Sequence, residues 1–388
     1  MLFLAGDIGG TKALLQLIEV RSSSDTIVLA KQHYLCKDFN SLESIVSDFL
    51  SHFLSMQSSE SCAKLSFKTK EILVERACFG LPGPVSGRKV KLTNLPWEVD
   101  ADAIEKACFI QSVCFVNDFY AAALGVQTLT DENVVPLYQP FNIPTHANGK
   151  VAGNRLVIGA GTGLGLAPIF YDGARYLPVS CEGGHFDFAP ISETQQLLLN
   201  WLWQTWEHVS YERVLSGPGI ETLYTFFKLF DCPPTYSLNT VIEAGDLSVL
   251  SVQKNTLKPL TPFGITQTTA YLQASALLAA QPSLNAAQIH AAAEQGDPTA
   301  IKALTEFVTI YGAFVGAAAL IWHAPQGIYL AGGIADKLLN WMLKPYFKQA
   351  LLEKGRMAGV IAKMPVFLVT DASLGLRGAM QHNFMDSL

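Results

Sequence analysis

The sequence has no CxxC pair, no GxxxxGK turn and no GxGxxG turn, and each absence removes a class of function. Without closely spaced cysteine or histidine ligands, no motif for structural zinc is present. Without the two phosphate turns, neither a Walker-type nucleotide site nor a Rossmann dinucleotide site is expected. Cysteine is sparse and odd in number, at positions 36, 62, 78, 108, 114, 181 and 232. Reduced thiols in a cytoplasmic protein fit that pattern best. Charged residues make up only 15% of the chain, the net charge is −6, and lysine and arginine form no long run. Nucleic acid and anionic membranes are therefore not expected partners. No apolar run reaches the roughly 18 residues of a membrane span. Phe307 to Trp322 comes nearest, but Thr309 and Tyr311 interrupt it, so it reads as a buried helix. Met1 to Ala5 has no basic flank and turns at Gly6, so it reads as a first strand and not a signal peptide.

What is present points to a large α/β protein. The chain has 388 residues, 49% of them hydrophobic. That is too long for one ordinary core, so two domains are expected. Leu42, Ile45, Val46, Phe49, Leu50 and Phe53 follow helical spacing. Ile72 to Phe79, Ser112 to Val116, Arg155 to Ile158 and Gly327 to Leu330 read as buried strands. An apolar strand, a glycine-rich turn and a second apolar strand occur twice, over Leu2 to Gln16 and over Leu156 to Ile169. Two related halves flanking one cleft is the economical interpretation. Residues 128–150 read as a polar loop or insertion, and 232–285 as a poorly periodic variable insertion.

The first turn, Gly6-Asp7-Ile8-Gly9-Gly10-Thr11-Lys12, brings main-chain N–H groups, a hydroxyl and a cation to one place, which suits phosphate. Asp7 ends its strand where a carboxylate can hold Mg²⁺ through water. The second turn runs Gly159-Ala160-Gly161-Thr162-Gly163-Leu164-Gly165, and a third, Ala331-Gly332-Gly333-Ile334, follows another strand. Any one of these could be a tight turn without a ligand; the repetition argues for two walls around one nucleotide. Asn117-Asp118 ends a buried strand, Glu182 and His185 flank two glycines, and Glu212 lies in Tyr211-Glu212-Arg213. Mixed Asn, Asp, Glu and His suit a ring of sugar hydroxyls, each of which donates and accepts. Asp118 could instead be a helix N-cap, His185 a core histidine, and Cys181 with His185 half of a metal site.

Seven segments occur in a recognisable order: GDIGGTK (6–12), LTNLPW (92–97), VNDFYAAALG (116–125), GAGTGLG (159–165), EGGHFDFAP (182–190), YERVLSGPG (211–219) and AGGI (331–334). In this the chain resembles the bacterial glucokinases, within the hexokinase and actin-like superfamily. The resemblance spans most of the chain and implies an actin-like, ribonuclease H-like two-domain sugar kinase fold with an interdomain cleft. It implies a small domain of 1–127 with 371–388, and a large domain of 128–370. Asp118 matches the family's catalytic base. Asn117, Glu182, His185, Glu212, the Gly163 backbone and, on its loop, Asn94 match its sugar ligands. Gly6 to Lys12, with Gly161 and Thr162, match its phosphate segments, and Gly332 and Gly333 its adenosine segment.

The implied reaction is glucose 6-phosphorylation by MgATP at the entry to glycolysis, by a cytoplasmic homodimer. The cysteine cluster of the zinc-containing neighbouring family is missing, so zinc is not expected. Many relatives read GGTNAR where this chain reads GGTKAL, which puts a lysine near the phosphates in place of an arginine further on. A non-catalytic sugar sensor on the same fold would be expected to carry an added DNA-binding helix pair and to lose the base. An actin-like ATPase would have no reason for the Glu182, His185 and Glu212 set.

Overall fold

The computed structural model describes residues 1–22, 25–57, 73–92, 95–140, 152–240, 250–255 and 284–385. By contacts the chain divides into two units. Met1–Thr130, Ala167–Ser180 and Asp371–Leu388 form one; Asp131–Leu166 and Cys181–Thr370 form the other.

The first unit is built on a five-stranded sheet in the order β3-β2-β1-β4-β7. Its strands are β1 (Leu2–Ile8), β2 (Lys12–Ser22), β3 (Asp25–Leu35), β4 (Arg76–Leu81) and β7 (Val113–Asn117). A small antiparallel pair, β5 (Lys89–Lys91) and β6 (Glu98–Asp100), stands apart from it. β1 is apolar because both of its faces are covered. Leu2, Leu4 and Ile8 pack with residues of α1 (Leu42–Gln57) and α2 (Ala101–Cys108). Phe3 and Ala5 pack on the opposite side with Ala121 of α3 (Asp118–Gly125) and with Leu376, Ala379 and Met380 of the last helix, Leu374–Met385. The α1 stripe expected from sequence is buried at every position, from Leu42 to Phe53. Ser41 and Ser44 cap that helix reciprocally, each accepting from the other's main-chain N–H.

The second sheet runs β11-β10-β9-β14-β15-β8. Its members are β8 (Val134–Tyr138), β9 (Arg155–Ala160), β10 (Leu164–Tyr171), β11 (Tyr176–Pro178), β14 (Ile328–Ala331) and β15 (Val366–Val369). β10 and β11 are strands of this sheet, although Ala167–Ser180 groups by contacts with the first unit. The strand β8 corrects the expectation of a loop over 128–150. Val134-Val135-Pro136-Leu137-Tyr138 pairs antiparallel with β15. Pro136 is tolerated because β8 is an edge strand. Residues 141–151 of that expected loop lie outside the described residues. Likewise 232–285 is not wholly irregular: β12 (Tyr236–Thr240) and β13 (Leu250–Lys254) pair antiparallel, while 256–283 lies outside the described residues.

Helices α4 (Glu193–Leu202), α5 (Gly217–Leu229), α6 (Ala286–Glu294), α7 (Pro298–Ile321), the short α8 (Gly333–Lys337) and α9 (Pro345–Leu352) belong to this unit, with two further single-turn helices at Leu339–Met342 and Ala358–Ile361. Asp297 caps α7 through the Ala300 N–H at 2.7 Å, and Pro298 opens it. α7 is the one described helix long and apolar enough to cross a membrane, and 83% of its most apolar stretch is buried in the protein. It is the spine of this core, as the sequence expects of Phe307 to Trp322. Its Glu306 is fully buried, and each carboxylate oxygen is satisfied by Thr235 or Gln195.

Candidate active site

In the first unit the strands β1, β4 and β7 are parallel neighbours. Asp7 is level with Gly80, and Leu81 with Asn117. The Asp7 turn and the Asn117-Asp118 pair therefore sit at the same, carboxyl end of one parallel sheet, where open α/β sheets place their ligands. The turn after β1 is stiffened by three bonds: Gly9 N–H to Lys12 O at 2.8 Å, Cys36 N–H to Thr11 O at 2.9 Å, and the Cys36 thiol to Gly9 O at 3.4 Å. Thr11 and Lys12 are exposed. Gly6 and Ile8 are buried within β1, with Gly6 paired to Leu15 on one side and Phe79 on the other, so neither offers a side chain to a ligand. Burial pushes the Asp7 carboxyl up to about 6. Desolvation alone has that effect on an acid and leaves a carboxylate suited to a cation.

Asn117 caps α3, accepting the Phe119 and Tyr120 N–H groups at 3.0 Å each. Its amide nitrogen donates to Gly83 O at 3.0 Å and to Asp118 Oδ1 at 3.1 Å. The amide's hydrogen-bonding capacity is thus taken up inside the protein. The cap role open to Asp118 from sequence belongs to Asn117. Asp118 is instead the first helical residue, and its Oδ1 also accepts the Phe119 N–H at 2.9 Å. Two donors at the start of α3 hold this carboxylate in one orientation.

In the second unit, β9 and β14 run parallel with Gly159 level with Ala331. The second and third glycine turns therefore leave the sheet side by side. Gly332 takes φ 94°, a conformation closed to most side chains. A ring of hydrogen bonds joins the second turn to the Glu212 segment. Gly161 N–H bonds Gly163 O at 2.8 Å, and Leu164 N–H bonds Glu212 Oε2 at 2.9 Å. The Ser216 hydroxyl bonds Glu212 O at 2.8 Å, and Gly217 N–H bonds Gly161 O at 2.8 Å. The Glu212 carboxylate lies directly over Gly163, where a β-carbon would collide with it.

This ring brings in Gly217, which sequence reasoning did not single out. It is the first residue of α5, capped by Ser216, and the available signal was the Ser-Gly-Pro helix start within YERVLSGPG. Glu182 and His185 are exposed and bracket a one-turn helix, with His185 N–H bonded to Glu182 O at 3.0 Å. Their loop is tied to the segment leading into the one-turn helix of Glu212 by Tyr211 N–H to Phe186 O at 2.9 Å and Phe188 N–H to Val209 O at 2.8 Å. The Cys181 thiol bonds Leu166 O at 3.2 Å. Among the described residues, the three-ligand group that could hold a metal includes neither Cys181 nor His185. Asn94 lies outside the described residues.

A family model described as Glucokinase matches residues 4–384. The glucokinase of Synechocystis sp. is 33% identical over 384 residues, covering 97% of this chain and 96% of that protein. The glucokinase of Nostoc punctiforme is 31% identical over 380 residues, covering 97% of each. Among solved structures, a glucokinase from an Antarctic psychrotroph aligns with TM-score 0.67 at 25% identity, covering 98% of this chain and 99% of that one. A glucokinase from Balamuthia mandrillaris, solved in complex with glucose, aligns with TM-score 0.67 at 18% identity, covering 98% and 92%, and supports the fold. The match runs from β1 to the last helix and includes every segment described above except the first three and last four residues, so this chain belongs to the glucokinase family.

Proposed function

We propose that this protein transfers the terminal phosphoryl group of ATP, as its magnesium complex, to the 6-hydroxyl of glucose, giving glucose 6-phosphate and ADP. The observation that carries the reading is Asp118 at the first position of α3, oriented by Asn117 and the Phe119 N–H and relieved of capping. A carboxylate so held can accept the hydroxyl proton as the oxygen–phosphorus bond forms. Phosphoryl transfer otherwise asks for positioning and charge stabilisation.

The sugar contacts are assigned to Glu182, His185, Glu212 and the Gly163 main chain. Glu212 has one oxygen fixed on Leu164 N–H, so its carboxylate is already oriented for hydroxyls. Asn117 is given a positioning role, since a bond to sugar would have to displace one that it already makes. Phosphate contacts are assigned to Gly9, Gly10, Thr11 and Lys12, and to Gly161, Thr162 and Gly217. The main chain at Gly332 and Gly333 is assigned to adenosine.

Asp7 fits a water-mediated magnesium partner, because its carboxylate is desolvated at a strand end. The cation's contribution would be to neutralise charge on the transferring phosphate. The same reading places the enzyme in the cytoplasm at the start of glycolysis, as a homodimer. A coupled assay of sugar-dependent ADP release, run across hexoses and nucleotide donors, tests it. Glucose with MgATP should give the highest kcat/KM, and ADP release independent of sugar would remove the proposal.

A further inference from the structure

One cluster of reactive side chains has no part in this reaction. Cys78 lies on β4 and Cys114 on β7, as direct partners in the parallel pairing of these strands. Both side chains therefore point to the same face of the sheet. That face is covered by α3 and the last helix, and His382 of that helix comes down onto the pair. The two sulfurs and a ring nitrogen of His382 all lie within 4.8 Å of one another. Two ligands on one tetrahedral zinc ion are roughly 3.5–3.8 Å apart, given Zn–S of about 2.3 Å and Zn–N of about 2.0 Å. Small side-chain rotations bring the three groups to that spacing.

The scaffold around them is fixed on all sides. Asn383, next to His382, donates to Leu4 O at 3.2 Å, and its own carbonyl accepts from Arg76 at 3.3 Å. The Tyr120 ring meets the imidazole edge-on at 6.1 Å between centroids. Cys78 is buried, whereas Cys114 and His382 are half-buried. An ion, with water as a fourth ligand, would have to enter from the side of the half-buried Cys114 and His382.

We propose that Cys78, Cys114 and His382 form a binding site for one thiophilic divalent cation, with zinc as the matching ion. Two thiolates and a neutral imidazole are the softest donor set that the protein presents at one place among the described residues. Binding deprotonates both thiols, so up to two protons leave as the ion enters and the site becomes formally neutral. The Cys114 thiol gives up its weak bond to Ala77 O, at 3.5 Å, in the process. The bound ion links β4, β7 and the last helix, and so stabilises the folded first unit by mass action. No sequence motif marks this site, because its ligands come from three elements far apart along the chain.

The test uses the intact, reduced protein stripped with chelator and titrated with Co²⁺ as a spectroscopic substitute, then with Zn²⁺ in competition. One equivalent of Co²⁺ should produce thiolate-to-cobalt charge transfer and the intense visible bands of a tetrahedral site, both abolished by one equivalent of Zn²⁺. Zinc should also raise the melting temperature and protect Cys114 from alkylation, as located by peptide mapping. Cys114→Ser and His382→Gln should each weaken zinc binding at least about 100-fold, with glucose phosphorylation by the zinc-free variants, assayed with MgATP, kept. The mapping needs no variant, so it decides the matter even if both substitutions misfold. Absence of charge transfer in the wild type overturns the proposal. So does a cobalt spectrum unchanged in both variants, or alkylation of Cys114 that zinc does not slow.

Discussion

The Asp7 carboxylate lies against Gly375 of the last helix, so closely that a β-carbon there would come within 2.7 Å of Oδ2 and 2.9 Å of Cγ. The first strand and the last helix of the chain thereby set one functional group together. A change at Gly375 should reach the reaction without touching a ligand. The least costly response to an added methyl group is rotation of Asp7 itself. Gly375→Ala should therefore leave the melting temperature within a few degrees of wild type. It should raise the KM for MgATP, or lower kcat, by about tenfold, as titrations with nucleotide and magnesium would measure.

Asp7 also makes a prediction about pH. Folded, it keeps its proton up to about 6, against a usual value of 3.8. The folded state binds more protons in that window, so the Asp7 contribution is fully present below about pH 4 and is lost as pH rises through about 6. Asp7→Asn should therefore stabilise the ligand-free protein by on the order of 2 kcal/mol near pH 8, and hardly at all near pH 4. Denaturant melts at the two pH values measure the difference. Activity of this variant should also fall, because the proposed magnesium partner is lost.

Asp118→Asn keeps the side chain's size and removes the proposed base. Turnover should fall by about 10²–10⁴-fold, with glucose and ATP still bound. Asn117→Ala acts differently, removing the α3 cap and one of the donors that hold Asp118. It should cost about 1 kcal/mol of stability and lower kcat more than it raises either KM. Near wild-type turnover in Asp118→Asn would remove this residue from the mechanism.

Glu182→Gln and Glu212→Gln should each raise the KM for glucose about tenfold or more, since each removes a charged acceptor. The KM for ATP should stay within about twofold. Gly163→Ala should resemble Glu212→Gln, because the new β-carbon displaces the Glu212 carboxylate from Leu164 N–H. Substrate-by-substrate kinetics at saturating co-substrate would separate these effects. Equal damage to both KM values would point to a collapsed loop and not a sugar contact.

Lys12 is exposed at the start of β2. If it meets phosphate, Lys12→Ala should raise the KM for ATP roughly fivefold at low salt and less at high salt, as expected of an exposed ion pair worth about 1 kcal/mol. An unchanged value at both ionic strengths would make it a solvated lysine of the hairpin.

Local chemistry was legible in the sequence. The α1 stripe from Leu42 to Phe53, the apolar β1 and β9, and the buried α7 each follow from a repeat of apolar residues that one segment carries by itself. The glycine turns were legible for the same reason, since consecutive glycines leave the main chain open over a few residues. β8 reads as a loop in the sequence because of Pro136 and its polar flanks, and only the edge position beside β15 makes that proline acceptable.

Tertiary structure decided which of two neighbouring polar residues does what. Asn and Asp cap helices about equally well, so the sequence left Asp118 open to either role. Asn117 takes the cap because β7 ends one residue earlier, with Gly83 O in place to receive its amide. Gly217 joined Gly161, Asp7 came to rest on Gly375, and Cys78, Cys114 and His382 converged because packing brings together elements whose order along the chain says nothing of their distance. The sequence by itself determined the strands, the turns and the kinds of group available. The contacts that orient those groups depend on sheet order and on where the last helix docks, and both are set by burial of apolar faces across the whole unit.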